Sequence, residues 1–220
     1  HTRSDLVTGV QTCALPILYE KGVRNFITDK NFTSQQLSAI PAANVLAVEN
    51  VVAVLQQVTA AHRHTFNYPV IGITGSNGKT IVKEWLFQLL NEKYNIVKSP
   101  KSYNSQIGVP LSVWQMNNAH TLGIFEAGIS RPGEMEKLQP IIDPEIGVIT
   151  FIGDAHAEGF ENTTQKIEEK LKLFSNSNIL IYNTDNELQD EGVKKLCAER
   201  NPSLQLFTWS KKNPADLFIQ

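Results

Sequence analysis

Cysteine is scarce: Cys13 and Cys197 are the only two in 220 residues, far apart and outside any C-x-x-C pattern. That excludes a disulfide framework and a cysteine zinc site, and it makes a reducing, cytoplasmic setting the expected one. Long apolar runs are missing too, and none approaches the roughly 18 residues that would suggest a membrane span. No charge of one sign dominates, because 20 basic against 22 acidic side chains leave a net charge of -2. A broad basic field of the kind used for non-specific nucleic-acid binding is therefore excluded. The opening HTRSDLVTGVQTCALPI has neither a sustained apolar core nor a small-residue cleavage site, so it does not read as a signal peptide. Internal repeats and low-complexity segments are absent as well.

What is present is a composition of 41% hydrophobic and 19% charged residues, enough to bury a core. From about residue 45 onward apolar runs alternate with helical patterns. VLAV (45–48) reads as a short strand, and ENVVAVLQQVTAAHRH (49–64) as a helix with Val51, Val52, Leu55 and Val58 on one face. PVIGIT is a β-branched strand, followed after a loop by TIVKEWLFQLLNEK, a helix with Ile81, Trp85 and Leu89 in line. NIVKS, TLGIFEAG, EIGVIT, NILIYN and LQLFTW continue the strands, separated by helical stretches at IGVPLSVWQM, GEMEKLQPII, about 164–174 and about 186–199. Such alternation predicts an α/β fold, a mostly parallel sheet with helices on both faces, which binds ligands beyond the carboxyl ends of its strands. FNYP (66–69) is the expected domain junction.

The strand PVIGIT runs into Gly75-Ser76-Asn77-Gly78-Lys79-Thr80 and then a helix, the setting a phosphate loop requires. Gly75 and Gly78 remove side chains where backbone N–H groups approach phosphate, Lys79 places a charge on the phosphates, and the Thr80 hydroxyl can hold Mg²⁺. The pattern is the shorter T-G-x-x-G-K-T, since Ile73 stands five places before Gly78. A metal-bound phosphate calls for a carboxylate at a neighbouring strand end, and LGIFEAG supplies Glu126. Asp154 and His156, in FIGDAHAEGF, follow the next strand onto the same edge of the sheet. In KIEEKLKLF, Lys166, Lys170 and Lys172 with Glu168 and Glu169 read from spacing alone as a solvated helix face. Asn104, Ser105 and Gln106 are either substrate contacts or a helix N-cap cluster, and Asn183 and Asp185 either cap a helix or line the binding edge.

Six motifs, ITGSNGKT, SYNSQIGVPLS, FEAGIS, GDAHAEGF, EEKLKLF and YNTDN, occur in the order and spacing of the Mur ligases, and from about residue 18 to 220 the chain resembles that family. Within it the resemblance is strongest to the branch that joins D-alanyl-D-alanine to UDP-N-acetylmuramoyl-tripeptide, a step of peptidoglycan precursor synthesis. The resemblance implies ATP and two Mg²⁺ ions as cofactors, with the segment Gly75, Ser76, Asn77, Gly78, Lys79 and Thr80 on the nucleotide phosphates. It implies Thr80 on one metal, Glu126 and His156 on a second, and Lys170 as a lysine carbamylated by CO₂ that helps to position them. Lys166 and Lys172 keep the solvated reading. Asn104 falls near the transferring phosphoryl group and Asn183 where the family contacts adenine, while Ser105 and Gln106 stand where many relatives carry asparagines. The catalytic set implied is Lys79, Asn104, His156 and Lys170.

By the same resemblance residues 1–17 match nothing in the family and read as foreign. Residues 18–67 read as the last part of a UDP-sugar-binding domain, and 68–220 as an incomplete central ATP-binding domain. These 220 residues are then expected to lack turnover by themselves, and an alanine racemase fused to such a ligase would lie outside them. The rival expectations are a sister ligase adding a single amino acid, a folylpolyglutamate synthase, or a module that only binds nucleotide.

Overall fold

The computed structural model describes residues 15–29, 32–153 and 159–219. They fall into two compact units, one up to Leu55 and one from Gln56 onward. In the smaller unit α1 (Leu15–Glu20), β1 (Asn25–Thr28), α2 (Ser34–Ser38) and β2 (Asn44–Ala47) alternate, and β1 pairs with β2 in parallel. Phe26 and Ile40 are its buried centre. α2 is started by a reciprocal cap in which the Thr33 side chain accepts from the Gln36 amide and the Gln36 side chain accepts from the Thr33 amide. α3 (Val51–Arg63) follows, close to the helix that periodicity predicts.

The larger unit continues with β3 (Val70–Thr74), α4 (Lys79–Leu90), β4 (Ile96–Lys98), α5 (Gly108–Val113), β5 (Leu122–Glu126), α6 (Glu134–Ile142), β6 (Ile146–Ile149), α7 (Thr163–Leu171), β7 (Ile179–Asn183), α8 (Glu187–Glu199), β8 (Gln205–Ser210) and β9 (Leu217–Phe218). The strands lie in the order β4-β5-β3-β6-β7-β8-β9, every pairing parallel. β3 and β5 are buried along their whole length, which is why VIGIT and LGIFE are near-continuous apolar runs and not alternating ones. Period-two geometry still sorts their side chains: Ile71, Ile73, Leu122 and Ile124 face α4, while Val70 and Phe125 join the larger core with α5, α6, α7 and α8.

The chain leaves β3 toward β4 and β5 on one side and returns to β6 on the other, so β3 is where the strand order reverses. A crevice opens at such a point beyond the carboxyl ends of the strands. Register places Ile73 beside Glu126 and Thr74 beside Ile149, so the loops after β3, β5 and β6 share that edge.

One periodicity differs from expectation. Ile81, Trp85 and Leu89 do lie in line on α4, but they are 56%, 62% and 75% exposed. The stripe that packs on the sheet is Val82, Leu86 and Leu90. Both stripes have helical spacing, and the strands beneath the helix decide which is buried.

Candidate active site

The segment between β3 and α4 excludes a side chain at one point and favours glycine at another. Gly75 has φ +149, and a Cβ there would stand 2.0 Å from Thr150 Oγ1. Gly78 has φ +81 and caps α4 in the left-handed region that favours glycine. The Ser76 amide donates to Phe151 O at 2.6 Å and Thr150 Oγ1 donates to Asn77 O at 2.6 Å, which ties the loop to the end of β6. Lys79 folds back over the loop, its Nζ donating to Gly75 O at 2.8 Å and Ser76 O at 3.3 Å.

Thr80 opens α4, and its Oγ1 lies 3.0 Å and 3.2 Å from the two carboxylate oxygens of Glu126 at the end of β5. Glu126 is wholly buried. Lys83, one helical turn beyond Lys79 and also wholly buried, donates to Glu126 Oε1 at 2.9 Å. The Asn104 amide approaches Glu126 Oε2 at 3.4 Å, and the Asn104 carbonyl accepts from the Gly128 amide at 2.8 Å.

Opposite this carboxylate lies α7, started by the Asn162 side chain, which accepts from the Gln165 amide. Lys166 and Lys170 are both only 2% exposed, contrary to the solvated reading of Lys166. They stand four residues apart on the helix face turned to the loop. Lys170 Nζ donates to Gly75 O at 3.3 Å and Lys166 Nζ to Gly153 O at 2.6 Å. Burial pulls the Lys170 ammonium down from its ordinary value to about 7, and the charges of Lys79 and Lys166 push the same way. Burial also lowers Lys79, with Glu126 opposing and Lys166 adding to the shift. Lys172 is different: its ammonium pairs with Glu136 and Glu169 at the margin of the helix.

Lys79, Asn104, Lys166 and Lys170 line one open cavity of about 630 Å³, together with Gly75, Ser76, Ser105, Gln106, Gly128, Ser130 and Glu134. Of the residues expected from the sequence, the structure thus brings together the loop, Lys79, Thr80, Asn104, Glu126 and Lys170. Asn183 stands apart from that lining at the end of β7, where its amide hydrogens go to Asp185 Oδ2 at 3.2 Å and Trp209 O at 3.1 Å. Asp154 and His156 lie outside the described residues. Sequence reading missed Lys83, although its position does carry a signal: residues 79, 82, 83, 86 and 90 share the inner face of α4 at helical spacing.

Three lysines at a glycine loop suit the phosphates of a nucleotide, and a hydroxyl beside a buried carboxylate suits the hard, oxygen-loving Mg²⁺. Among the described residues no group of three or more His, Cys, Asp or Glu side chains forms a complete cage. Phosphates and water would therefore complete the coordination, as is usual for Mg²⁺.

Fold and site together define a nucleotide-binding α/β protein of the phosphate-loop type. Residues 73–220 match the Mur ligase middle domain, and the chain belongs to that family. It is 32% identical over 201 residues to the UDP-N-acetylmuramoyl-tripeptide--D-alanyl-D-alanine ligase of Borreliella burgdorferi, covering 89% of this chain and 43% of that one. With the enzyme of the same description from Treponema pallidum the identity is 41% over 135 residues, 60% of this chain and 29% of the other. Among solved structures the MurF ligase from Thermotoga maritima in complex with ADP superposes with a TM-score of 0.70 at 25% identity, over 88% of this chain and 49% of that one. The chain therefore spans less than half the length of these relatives.

Proposed function

We propose that the protein is an ATP-dependent amide-bond ligase that adds D-alanyl-D-alanine to UDP-N-acetylmuramoyl-tripeptide in the cytoplasm, serving peptidoglycan synthesis and hence cell shape and division. The observation that carries this reading is the convergence of Lys79, Lys166, Lys170 and Asn104 on one cavity, with Asn104 linked to the buried Thr80–Glu126 pair behind it. The relatives named above, with their shared description, support the choice of substrates. We assign residues 18–67 to the end of a UDP-sugar-binding domain and 68–220 to the ATP-binding domain.

In this reading the γ-phosphoryl group passes from ATP to the terminal carboxylate of the tripeptide, and the amine of D-alanyl-D-alanine displaces phosphate from the acyl phosphate. Both reactants are anions, so the barrier is dominated by charge repulsion and alignment, and no enzyme nucleophile is needed. Lys79 turns from the loop carbonyls to the phosphates, and Asn104 orients the transferring group. Thr80 would hold one Mg²⁺ and Glu126 with His156 a second, and a carbamylated Lys170 would help to position both. Mg²⁺ bound there supplies neutralisation of developing phosphoryl charge. Lys170 takes up CO₂ as a neutral amine, forming an N–C bond and releasing one proton. Its burial and its lowered ammonium pKa of about 7 support that role. Asn183 is assigned to the adenine.

The test is phosphate release by the full-length protein given Mg²⁺-ATP and UDP-N-acetylmuramoyl-tripeptide, with D-alanyl-D-alanine, single amino acids or glutamate offered in turn. Release dependent on D-alanyl-D-alanine alone is expected. Release with a single amino acid or with glutamate would move the protein to a sister ligase or a folylpolyglutamate synthase with the same acyl-phosphate chemistry.

A further inference from the structure

Lys83 is the most completely engaged cation among the described residues, and nothing in the proposed reaction uses it. It is wholly buried, and its three ammonium hydrogens meet three acceptors, Ser99 O at 2.8 Å, the Lys101 carbonyl and Glu126 Oε1 at 2.9 Å, while Glu84 Oε1 on the same helix lies 3.3 Å away. Those acceptors belong to different parts of the fold, two to the loop after β4 and one to the end of β5. Lys101 holds a left-handed backbone, φ +49, unusual for a residue with a side chain, in the loop whose carbonyl accepts from Lys83. Three residues later the same loop delivers Asn104 to the cavity.

The two oxygens of Glu126 are consequently unequal. Lys83 donates to Oε1 and the Asn104 amide approaches Oε2 at 3.4 Å, while the Thr80 hydroxyl lies 3.2 Å from Oε1 and 3.0 Å from Oε2. A hydrogen bond to one oxygen restricts rotation of the carboxylate and so helps to set the direction of the other. From this arrangement we infer that Lys83 is a positioning residue: it aims Glu126 Oε2 at the Mg²⁺ that Glu126 would hold and locks the Asn104 loop to the same carboxylate, so that metal binding and Asn104 placement are one event. The inference rests on the proposed reading of Glu126 as a metal ligand. A buried lysine that served only as a strut would fasten β5 to the loop without affecting the metal.

The experiment titrates Mg²⁺ into the full-length protein with ADP and follows nucleotide affinity by calorimetry, for the wild type, Lys83→Met and Lys83→Arg. Removing a partner that orients a metal ligand typically costs 10–100-fold in metal affinity. Lys83→Met is therefore expected to raise the Mg²⁺ concentration at half-effect by about tenfold or more, with ADP affinity in chelator changed by less than about twofold. Lys83→Arg, which keeps the charge and the donors, is expected to recover part of the shift. A lower melting temperature with an unmoved Mg²⁺ midpoint would make Lys83 a strut and overturn the inference. ADP binding by the wild type that ignores Mg²⁺ altogether would overturn the metal-site reading first, and this inference with it. Should Lys83→Met fail to fold, hydrogen exchange in the wild-type ADP complex decides. Slower exchange at Lys101 and Ser102 on adding Mg²⁺ supports the coupling through Lys83, and unchanged exchange there overturns it.

Discussion

The two walls of the cavity handle buried charge in opposite ways. On the β5 side Glu126 is met by Lys83, Thr80 and Asn104, so its carboxylate is satisfied by the fold itself. On the α7 side Lys79, Lys166 and Lys170 are drawn together, and the acceptors described for their ammonium groups are backbone carbonyls of Gly75, Ser76 and Gly153. Carbonyl oxygens solvate a cation without cancelling its charge. The first wall is built around an anion, whereas the second gathers cations that suit an anionic ligand. Affinity for nucleotide therefore belongs mainly to the lysine wall, and the geometry of the metal mainly to the carboxylate wall.

The hardest break in that comparison is Glu126→Ala. From the sequence alone the substitution of a metal ligand is expected to cost catalysis and little stability, but the structure adds a buried lysine that would lose its buried partner and keep only the part-exposed Glu84. Removing one member of a buried pair typically costs about 3–5 kcal/mol, so Glu126→Ala should be strongly destabilised in chemical denaturation. Glu126→Ala combined with Lys83→Met, which removes both charges, should regain most of that loss and remain inactive. A single variant as stable as the wild type would show that Lys83 finds other compensation.

The lysine wall predicts a gain where the carboxylate wall predicts a loss. A ligand that binds only the folded state stabilises it by about 2.7 kcal/mol at a concentration of one hundred times its dissociation constant. ADP should therefore raise the melting temperature of the wild type. Lys79→Met should lose most of that rise while its melting temperature without ligand stays level or increases, because a cation buried beside other lysines is gone. An unchanged ADP response would remove Lys79 from the phosphate site.

How much of this was legible in the sequence depends on how local each feature is. The loop from Gly75 to Thr80 is encoded within six residues and flanked by a strand and a helix that can be recognised without the rest of the chain. Glu126 was legible because a parallel strand announces its own carboxyl end. Lys83 and Lys166 were not, since a lysine on an amphipathic helix looks the same whether water or a carbonyl waits opposite. The partners of Lys83 lie 16, 18 and 43 residues away, and only the sheet order brings them under α4. The stripe of Ile81, Trp85 and Leu89 misled for the same reason, its exposure being set by the strands beneath the other face. In the smaller unit α1, β1 and α2 have 6, 4 and 5 residues, too few for a period to declare itself.

Lys170 sharpens the comparison through pH. In an unfolded chain its amine holds a proton up to the ordinary lysine value, whereas in the fold it releases that proton near 7. Between these limits the unfolded state binds more protons than the folded one, so stability attributable to this residue rises with pH, and below about 7 both states are protonated and the slope vanishes. One proton of difference corresponds to about 1.4 kcal/mol per pH unit. In CO₂-free buffer the stability of the wild type minus that of Lys170→Met should therefore climb by about that amount between pH 7.5 and 8.5 and stay flat between pH 5.5 and 6.5. A difference that is flat across both windows would mean that Lys170 remains an ammonium in the fold, and an ammonium cannot take up CO₂. If the slope is found, carbon-13 bicarbonate should give a carbamate resonance in the wild type that Lys170→Met lacks, because the neutral amine that causes the slope is the same species that forms the carbamate.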